Sequence, residues 1–498
     1  MERKILNILL VMFLLMGLSL WKSESVFGIS IVTDMGEIKI GGYIENYSGI
    51  RLGQAGQGKL TMFRNTFQPE FLFDFGPTAR FYLSARFVKE GSYEMEDRFR
   101  DRMGLPHLDD DYYDETDFEA RELYLDLEMT DKLSFRIGKQ FNIWGETDVF
   151  RLLDVINPSD SSWAPPALMP LEDTRTPLWA GRTIYRFNPN SFLELVVNPM
   201  FDEKEDRVNE GAPTGGRWQR QSEERLSGAA LSMTLYPGMT QDIMTSGPPA
   251  GPPNVKVKIP DSGMEHGRAG LRFMSTFKGV TYTLAYYYGH NLSPVVYYDG
   301  YSGNIPQFSV RFDRQHILGF SFNYFEDRIT QMVYRGEFAL YPNKPYNTFN
   351  PWEKDAVIDR DLLSTCLGID KMMIIPFLHP EEPTTPFIIS AQVFTDILLD
   401  SEKDLHVPTY LTEIEKLTVH FTLKIDTEYF YQQLVPSIII AYDTEGDGIV
   451  MPSIQYKPNW DERWWVKLTY GNYFGDHYDW LGLWKDQDSL WLQTRFMW

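Results

Sequence analysis

The sequence predicts an all-β chain that closes into a single transmembrane antiparallel β-barrel of about 18 strands, with 16 or 14 also compatible. Three observations carry this expectation: an export leader, a two-faced strand ending on Trp498, and a rhythm of tight and long links between runs of alternating polarity. A soluble two-sheet sandwich also alternates, with its apolar face hidden. Alternation alone therefore leaves both folds open.

Residues 1–28 read as a signal peptide and 29–498 as the barrel. Arg3 and Lys4 form a basic region, Ile5 to Leu20 an apolar core, and Ser23, Ser25 and Gly28 offer small residues for cleavage. A retained membrane anchor is the rival reading. No later stretch holds about 18 consecutive apolar residues, the length a spanning helix needs. An exported chain of this kind enters a membrane only as a closed barrel, in which every backbone donor pairs with a neighbour.

Counting back from the carboxyl end, Trp498, Phe496, Thr494, Leu492 and Leu490 share one face of an extended strand, and Met497, Arg495, Gln493 and Ser489 share the other. One face suits lipid and the other water. A chain whose last residue is an aromatic on such a strand resembles bacterial outer-membrane β-barrels, whose terminal strand is read by the insertion machinery and closes the sheet. The resemblance implies a Gram-negative outer-membrane location, with outer-membrane lipid and the barrel insertion machinery as partners.

Composition agrees. Aromatics make up 15% of the chain, with 13 Trp, 28 Tyr and 33 Phe, while the mean hydropathy is negative, at −0.32. Many aromatics without long apolar runs suit interfacial girdles around a polar lumen. The net charge of −22 excludes nucleic acid as a natural partner, since phosphate repels such a surface. The single cysteine, Cys366, allows no intrachain disulfide and no Cys-based zinc cluster. No metal and no cofactor is expected.

Taken in order, the first alternating runs lie near 36–49, 59–74, 77–89, 118–129 and 132–141. Others fall near 180–187, 191–198, 266–277, 279–290, 307–325 and 328–341. The last lie near 364–375, 387–399, 416–430, 434–443, 448–457, 461–473 and 488–498. On 118–129, Leu123, Leu125, Leu127 and Met129 oppose Glu122, Tyr124, Asp126 and Glu128; on 416–430, Leu417, Val419, Phe421, Leu423 and Ile425 oppose Lys416, Thr418, His420, Thr422 and Lys424.

Links after every second run are tight, such as Phe75 and Gly76, Thr130 and Asp131, Lys278 and Gly279, or Asp327 alone. The others are mostly long, at 90–117, 142–179, 199–265, 291–306 and 342–363. Short periplasmic turns and long outer loops are the habit of such barrels, so this rhythm orients the chain. Two links break it: 376–386, with four prolines, is long where a turn is due, and 444–447 is short where a loop is due.

Several links carry a chemistry of their own. Between Glu90 and Asp117 stand eleven carboxylates against Arg98, Arg100 and Arg102, a density that stays solvated or holds hard cations through oxygen. Asp443, Glu445 and Asp447 imitate part of a calcium loop but lack its closing bidentate Glu, so a hairpin turn is the reading. The Gly- and Pro-rich stretch within 199–265 reads as an outer loop without strands.

The most distinctive segment follows the run 132–141. It contains Gly138, Lys139, Gln140, then Trp144, Gly145, Glu146 and Asp148, then Asp154, Val155, Ile156, Asn157, Pro158, Ser159 and Asp160, and a Pro-rich tract ending at Pro177. This series is similar to that of a family of large bacterial outer-membrane barrels known only as a domain of unknown function. The resemblance implies a porin-like or lipid-related transport role, no established reaction, and a segment near 142–179 that folds inward and narrows the lumen. Read physically, Trp144 and Trp163 supply rigid mass and Gly145 a sharp turn. Glu146, Asp148, Asp154 and Asp160 are placed to face Arg136, Lys139, Arg151 and Arg175 across the lumen, where opposed charges filter solutes. The competing reading has Glu146 and Asp160 tie the segment to wall residues such as Arg136.

The function expected is therefore an outer-membrane channel passing small solutes, hydrophobic or lipid-like ones among them. Arg136, Lys139, Gln140, Trp144, Glu146, Asp148, Asp154, Asn157, Asp160 and Arg175 form its constriction or binding site. An inner-membrane or periplasmic transport partner is compatible with this role. Two alternatives remain, an outer-membrane lipid hydrolase and a surface-binding barrel. For the first, the histidines are scattered, His290 and His316 lie on successive runs where they could approach each other, and no Gly-x-Ser-x-Gly elbow occurs. For the second, the longest loop has little apolar content with which to fold. No enzyme activity is expected.

Overall fold

The structure is a computed structural model describing residues 28–34, 36–52, 59–95, 116–159, 168, 171–201, 254–258, 260, 263–291, 295–350, 352–406, 413–458, 461, 463–475, 481–485 and 487–498. The strands begin with β1 Ile29–Thr33, β2 Gly36–Arg51, β3 Lys59–Asp74, β4 Ala79–Glu90, β5 Thr116–Thr130, β6 Leu133–Gln140, β7 Leu178–Asn188 and β8 Ser191–Asn198. Next come β9 Asn254–Lys258, β10 Arg268–Phe277, β11 Val280–His290, β12 Val295–Ser302, β13 Ile305–Arg311, β14 Arg314–Glu326, β15 Met332–Thr348 and β16 Val357–Ile374. The last are β17 Pro386–Leu398, β18 Leu405–His406, β19 Leu417–Asp426, β20 Leu434–Asp443, β21 Gly448–Tyr456, β22 Trp464–Phe474 and β23 Ser489–Met497.

One sheet holds 20 of these strands. Two are appendages, β1 folding back on β2 and the short β18 bordering β15. The other eighteen pair antiparallel, each with the next, until β23 meets β2 from Tyr43↔Met497 to Arg51↔Ser489. Trp498 extends the seam: its N–H donates to the Gly42 carbonyl at 3.0 Å, the Gly42 N–H donates back at 3.1 Å, and the indole stacks on Phe67 at 6.0 Å. The barrel is closed by its last residue, and closure leaves no free edge.

The two faces settle which fold the alternation serves. Ile137, Leu195, Leu271, Leu284, Leu318, Leu367, Phe421, Leu468 and Leu492 are exposed, whereas Glu194, Glu337, Gln392 and Thr422 are buried. A water-soluble sandwich has the reverse arrangement. Apolar rows outside and polar rows inside suit hydrocarbon around a hydrated lumen, so the chain spans a membrane by strands.

Local chemistry fixes the turns. Lys278 and Gly279 both have positive φ, at 50° and 81°, as a two-residue turn of this hand requires between β10 and β11. Between β20 and β21 the Asp443 carboxylate accepts the N–H groups of Glu445, Gly446 and Asp447, each at 2.9 Å, which makes the short outer link a hairpin. At the opposite end, the long link between β16 and β17 is anchored by His379, whose Nε2 shares a hydrogen bond with Thr427 Oγ1 at 2.8 Å and whose ring stacks on Tyr429.

Four expectations need correction. The run read as 307–325 is two strands, β13 and β14, because alternation continues across the break at Phe312 and Asp313. The stretches 291–306 and 199–265, read as loops, contribute β12 and β9, which join β13 in a separate 3-stranded sheet with β9 parallel to β13. The one-residue link at Asp327 is Asp327–Gln331, tied by the Glu326 carboxylate to the N–H groups of Arg328, Ile329 and Thr330. Glu90 is not a loop carboxylate: it ends β4, buried, accepting from the Phe63 and Ser92 N–H groups at 2.9 Å each. The acidic residues 96–115 lie outside the described residues, as does the leader, 1–27.

Candidate functional site

The segment between β6 and β7 turns into the barrel, and two sets of contacts hold it there. The first set is internal. Asn157, fully buried, accepts the Asn142 N–H at 2.7 Å and donates to the carbonyls of Gln140 at 3.4 Å and Thr176 at 2.8 Å, joining the outgoing leg to the returning one. Asp154 Oδ2 accepts from Arg151 Nε at 3.1 Å and from Arg175 Nε at 2.6 Å. Arg151 also donates to the carbonyls of Asp154 and Asn157. Gln140 fastens the base by donating to the Ala180 carbonyl on β7 at 2.9 Å. Buried polar groups of this density need each other, so the network fixes the segment's shape.

The second set reaches the far wall. The Glu146 N–H donates to Glu337 Oε1 on β15, and the Leu153 N–H to Glu337 Oε2 at 3.1 Å. Asp148 Oδ2 accepts from Arg335 Nη2 at 2.7 Å, from Ser390 Oγ at 2.8 Å and from Gln392 Nε2 at 3.3 Å. Arg335 pairs as well with Asp370 at 2.7 Å and donates to the Glu146 carbonyl at 2.6 Å. Burial opposes ionisation of Asp148, but the hydrogen bond and charge of Arg335, with the Ser390 hydroxyl, outweigh it and hold the carboxyl below its usual range.

Apolar side chains key the segment into the wall at three strand glycines. A Cβ on Gly270 would stand 2.5 Å from Trp144, one on Gly319 2.7 Å from Leu153, and one on Gly471 2.8 Å from Leu168. Only glycine leaves these sockets. Phe150 meets Phe394 edge-on at 5.4 Å and lies against two apolar clusters, one on the β7 to β17 side and one formed by β2, β3 and β20 to β23. The segment thus bridges opposed parts of the lumen.

Of the residues expected here, Gln140, Asp154, Asn157 and Arg175 gather in the internal network, and Glu146 and Asp148 lie on the lumen edge. Trp144 is buried beneath the Arg272 guanidinium, 5.5 Å from its ring. Arg136 does not face the segment: it pairs with Asp126 of β5 at 2.7 Å and covers the Tyr124 ring at 3.8 Å. Lys139 is buried. Asp160 and Trp163 lie outside the described residues. The cation that meets the acidic edge is Arg335, 187 residues away from Asp148, which sequence reasoning missed. A signal existed, since Arg335 and Glu337 share the inward face of their run, but its partner emerges only on closure. His290 sits beside His266 at 5.6 Å and His316 bonds Tyr286 at 2.8 Å, so each has another neighbour than the one expected. Among the described residues no group of three or more His, Cys, Asp or Glu could hold a metal ion.

A closed barrel with an apolar exterior and a chain segment folded across its lumen defines a bacterial outer-membrane β-barrel. Residues 52–376 match the family described as "Protein of unknown function (DUF1302)", and the chain belongs to that family. Among curated proteins none matches it. Similar solved structures include Acinetobacter baumannii OccAB3, at 9% identity and TM-score 0.48 over 93% of this chain and 99% of that one. Pseudomonas aeruginosa OccK2 (OpdF) in complex with glucuronate is similar at 8% identity and TM-score 0.47, over 92% and 97% of the two chains. Pseudomonas aeruginosa OpdK with vanillate is similar at 9% and 0.47, over 93% and 98%.

Proposed function

We propose that the protein is an outer-membrane channel for small solutes, narrowed by the segment 138–177. The observation that supports this reading best is the contact of Glu146 and Asp148 with Arg335, Ser390 and Gln392 on the far wall, which brings both signs of charge to the lumen edge. The proposal extends to hydrophobic or lipid-like solutes, the role that the family resemblance implies. The test is conductance of the purified protein in planar bilayers with solutes of graded size. A size-dependent block of ion current is expected; turnover of an ester or lipid with no conductance under any condition would replace the channel by a hydrolase.

A further inference from the structure

Two seams of the barrel lose pairing without any shift of register, and each does so at a proline. Between β3 and β4 the ladder runs to Phe67↔Phe87 and resumes at Glu70↔Ser84, skipping Gln68 and Pro69. Between β21 and β22 it runs from Gly448↔Phe474 to Val450↔Asn472 and resumes at Ser453↔Thr469, skipping Met451 and Pro452. On the other side of each proline the ladder is unbroken, through Gly42↔Pro69 and Ile438↔Pro452. Proline has no N–H to give, so each gap follows from the residue itself.

What stands behind the two gaps differs. Behind the first are Gln68, bonded to Tyr43 and Glu70, and Arg86, paired with Glu119. Behind the second, Met451 belongs to a buried apolar cluster with Tyr47, Leu168, Ile449, Tyr473 and Trp491. Leu168 fills the socket at Gly471, its carbonyl accepting from Tyr47 Oη at 3.3 Å. Outside the second gap, Ile454 and Leu468 are exposed on the lipid face. Apolar side chains therefore continue from the cluster around Leu168, inside the barrel, to the bilayer face through a wall that lacks part of its ladder.

The geometry points to a lateral portal between β21 and β22, through which a slender apolar molecule passes between the lumen and the membrane. Leu168 is the side chain such a molecule must displace. The same step at β3 and β4 would drag it past Arg86 and Glu119, whose desolvation opposes passage. This inference rests on the channel reading with its hydrophobic solutes and adds the route by which they leave the lumen.

The test pins the seam after folding. Ile454→Cys and Leu468→Cys, directly opposite on the lipid face, are introduced with Cys366→Ala; Phe67→Cys and Phe87→Cys pin the other seam as a control. Intact Gram-negative cells expressing each form take up phenylnaphthylamine, a dye fluorescent only in lipid, and the purified proteins are recorded in planar bilayers. Oxidation of the first pair is expected to bring dye uptake down to that of cells lacking the protein, with conductance retained; reduction restores uptake, and the control pair changes neither. Pro452→Ala, which returns the missing N–H, is expected to slow uptake without any cross-link. Uptake unchanged by oxidation, uptake and conductance lost together, or equal loss from the control pair would each overturn the portal. Conductance without dye uptake in the parent protein would remove the portal and leave the channel; neither activity would remove both.

Discussion

The inward segment has two parts built from similar residues and put to different use. In the knot, Asp154 holds Arg151 and Arg175 while Asn157 bonds the backbone of both legs, and the Asp154 side chain is 2% exposed. At the tip, Glu146 and Asp148 meet the far wall at the water's edge, and the Asp148 side chain is 38% exposed. Charges closed on themselves can give shape but cannot sense a solute; charges left half in water can do both. The knot should therefore govern whether the segment is present, and the tip what passes it.

The largest effect is expected from breaking the knot. Asp154→Ala leaves two arginines without their shared carboxylate, and removing one partner of a buried pair costs about 3–5 kcal/mol. The segment should come away from the wall, giving larger and noisier conductance together with faster proteolytic cleavage between β6 and β7. If Asp154→Ala instead conducts quietly at the parent level, the network does not hold the segment and the distinction between knot and tip collapses.

Arg335→Ala should come next. It strips Asp148, Asp370 and the Glu146 carbonyl of a donor, and hydrogen bonds to charged groups are worth about 1.5–3 kcal/mol each. With a cation gone from an acidic edge, reversal potentials under a salt gradient should move toward cation selectivity, while cleavage between β6 and β7 stays slow. Anion-ward movement would show that Arg335 does not face the permeating ions.

The same comparison explains what was legible in the sequence. Strand runs such as 118–129 and 416–430 report themselves as strands, because two faces alternate residue by residue and need no partner to be recognised. Asp154, Asn157 and Arg175 stand out as polar residues in an unusual series, yet nothing local tells whether they face water or each other. Arg136 looks equally available, and its neighbour on β5, Asp126, takes it. Arg335 and Asp148 become partners only when β15 arrives across the lumen, a fact of closure that no window of sequence contains. The surface sheet of β9, β12 and β13 escapes for a related reason: β9 pairs in parallel with a strand about 50 residues on, without a turn to announce it.

Glu146→Ala is a milder probe of the tip. Among the described residues its carboxylate hydrogen-bonds Asn323 alone, at 3.5 Å, and substitutions at exposed positions usually stay within about ±0.5 kcal/mol. Thermal unfolding should be unchanged while ion selectivity shifts away from cations. An unfolding midpoint displaced as far as that of Asp154→Ala would place Glu146 in the knot.

The finest discrimination is by pH. Asp148 has its folded pKa lowered, so the anchoring it provides is fully present above the ordinary carboxylate value of about 4 and is lost as pH falls through the lower folded value. Measured in a Glu146→Ala parent, where the other tip carboxylate is gone, selectivity should therefore hold steady from neutral pH down through mild acid, and change only where Asp148 gains its proton and gives up part of its attraction to Arg335. Asp148→Asn should show at neutral pH the selectivity that the parent reaches in acid, and should lose the acid transition. A parent transition near neutral pH would mean that the tip is controlled by some other group. An acid transition that survives in Asp148→Asn would leave the knot intact and move the sensing charge to another carboxylate.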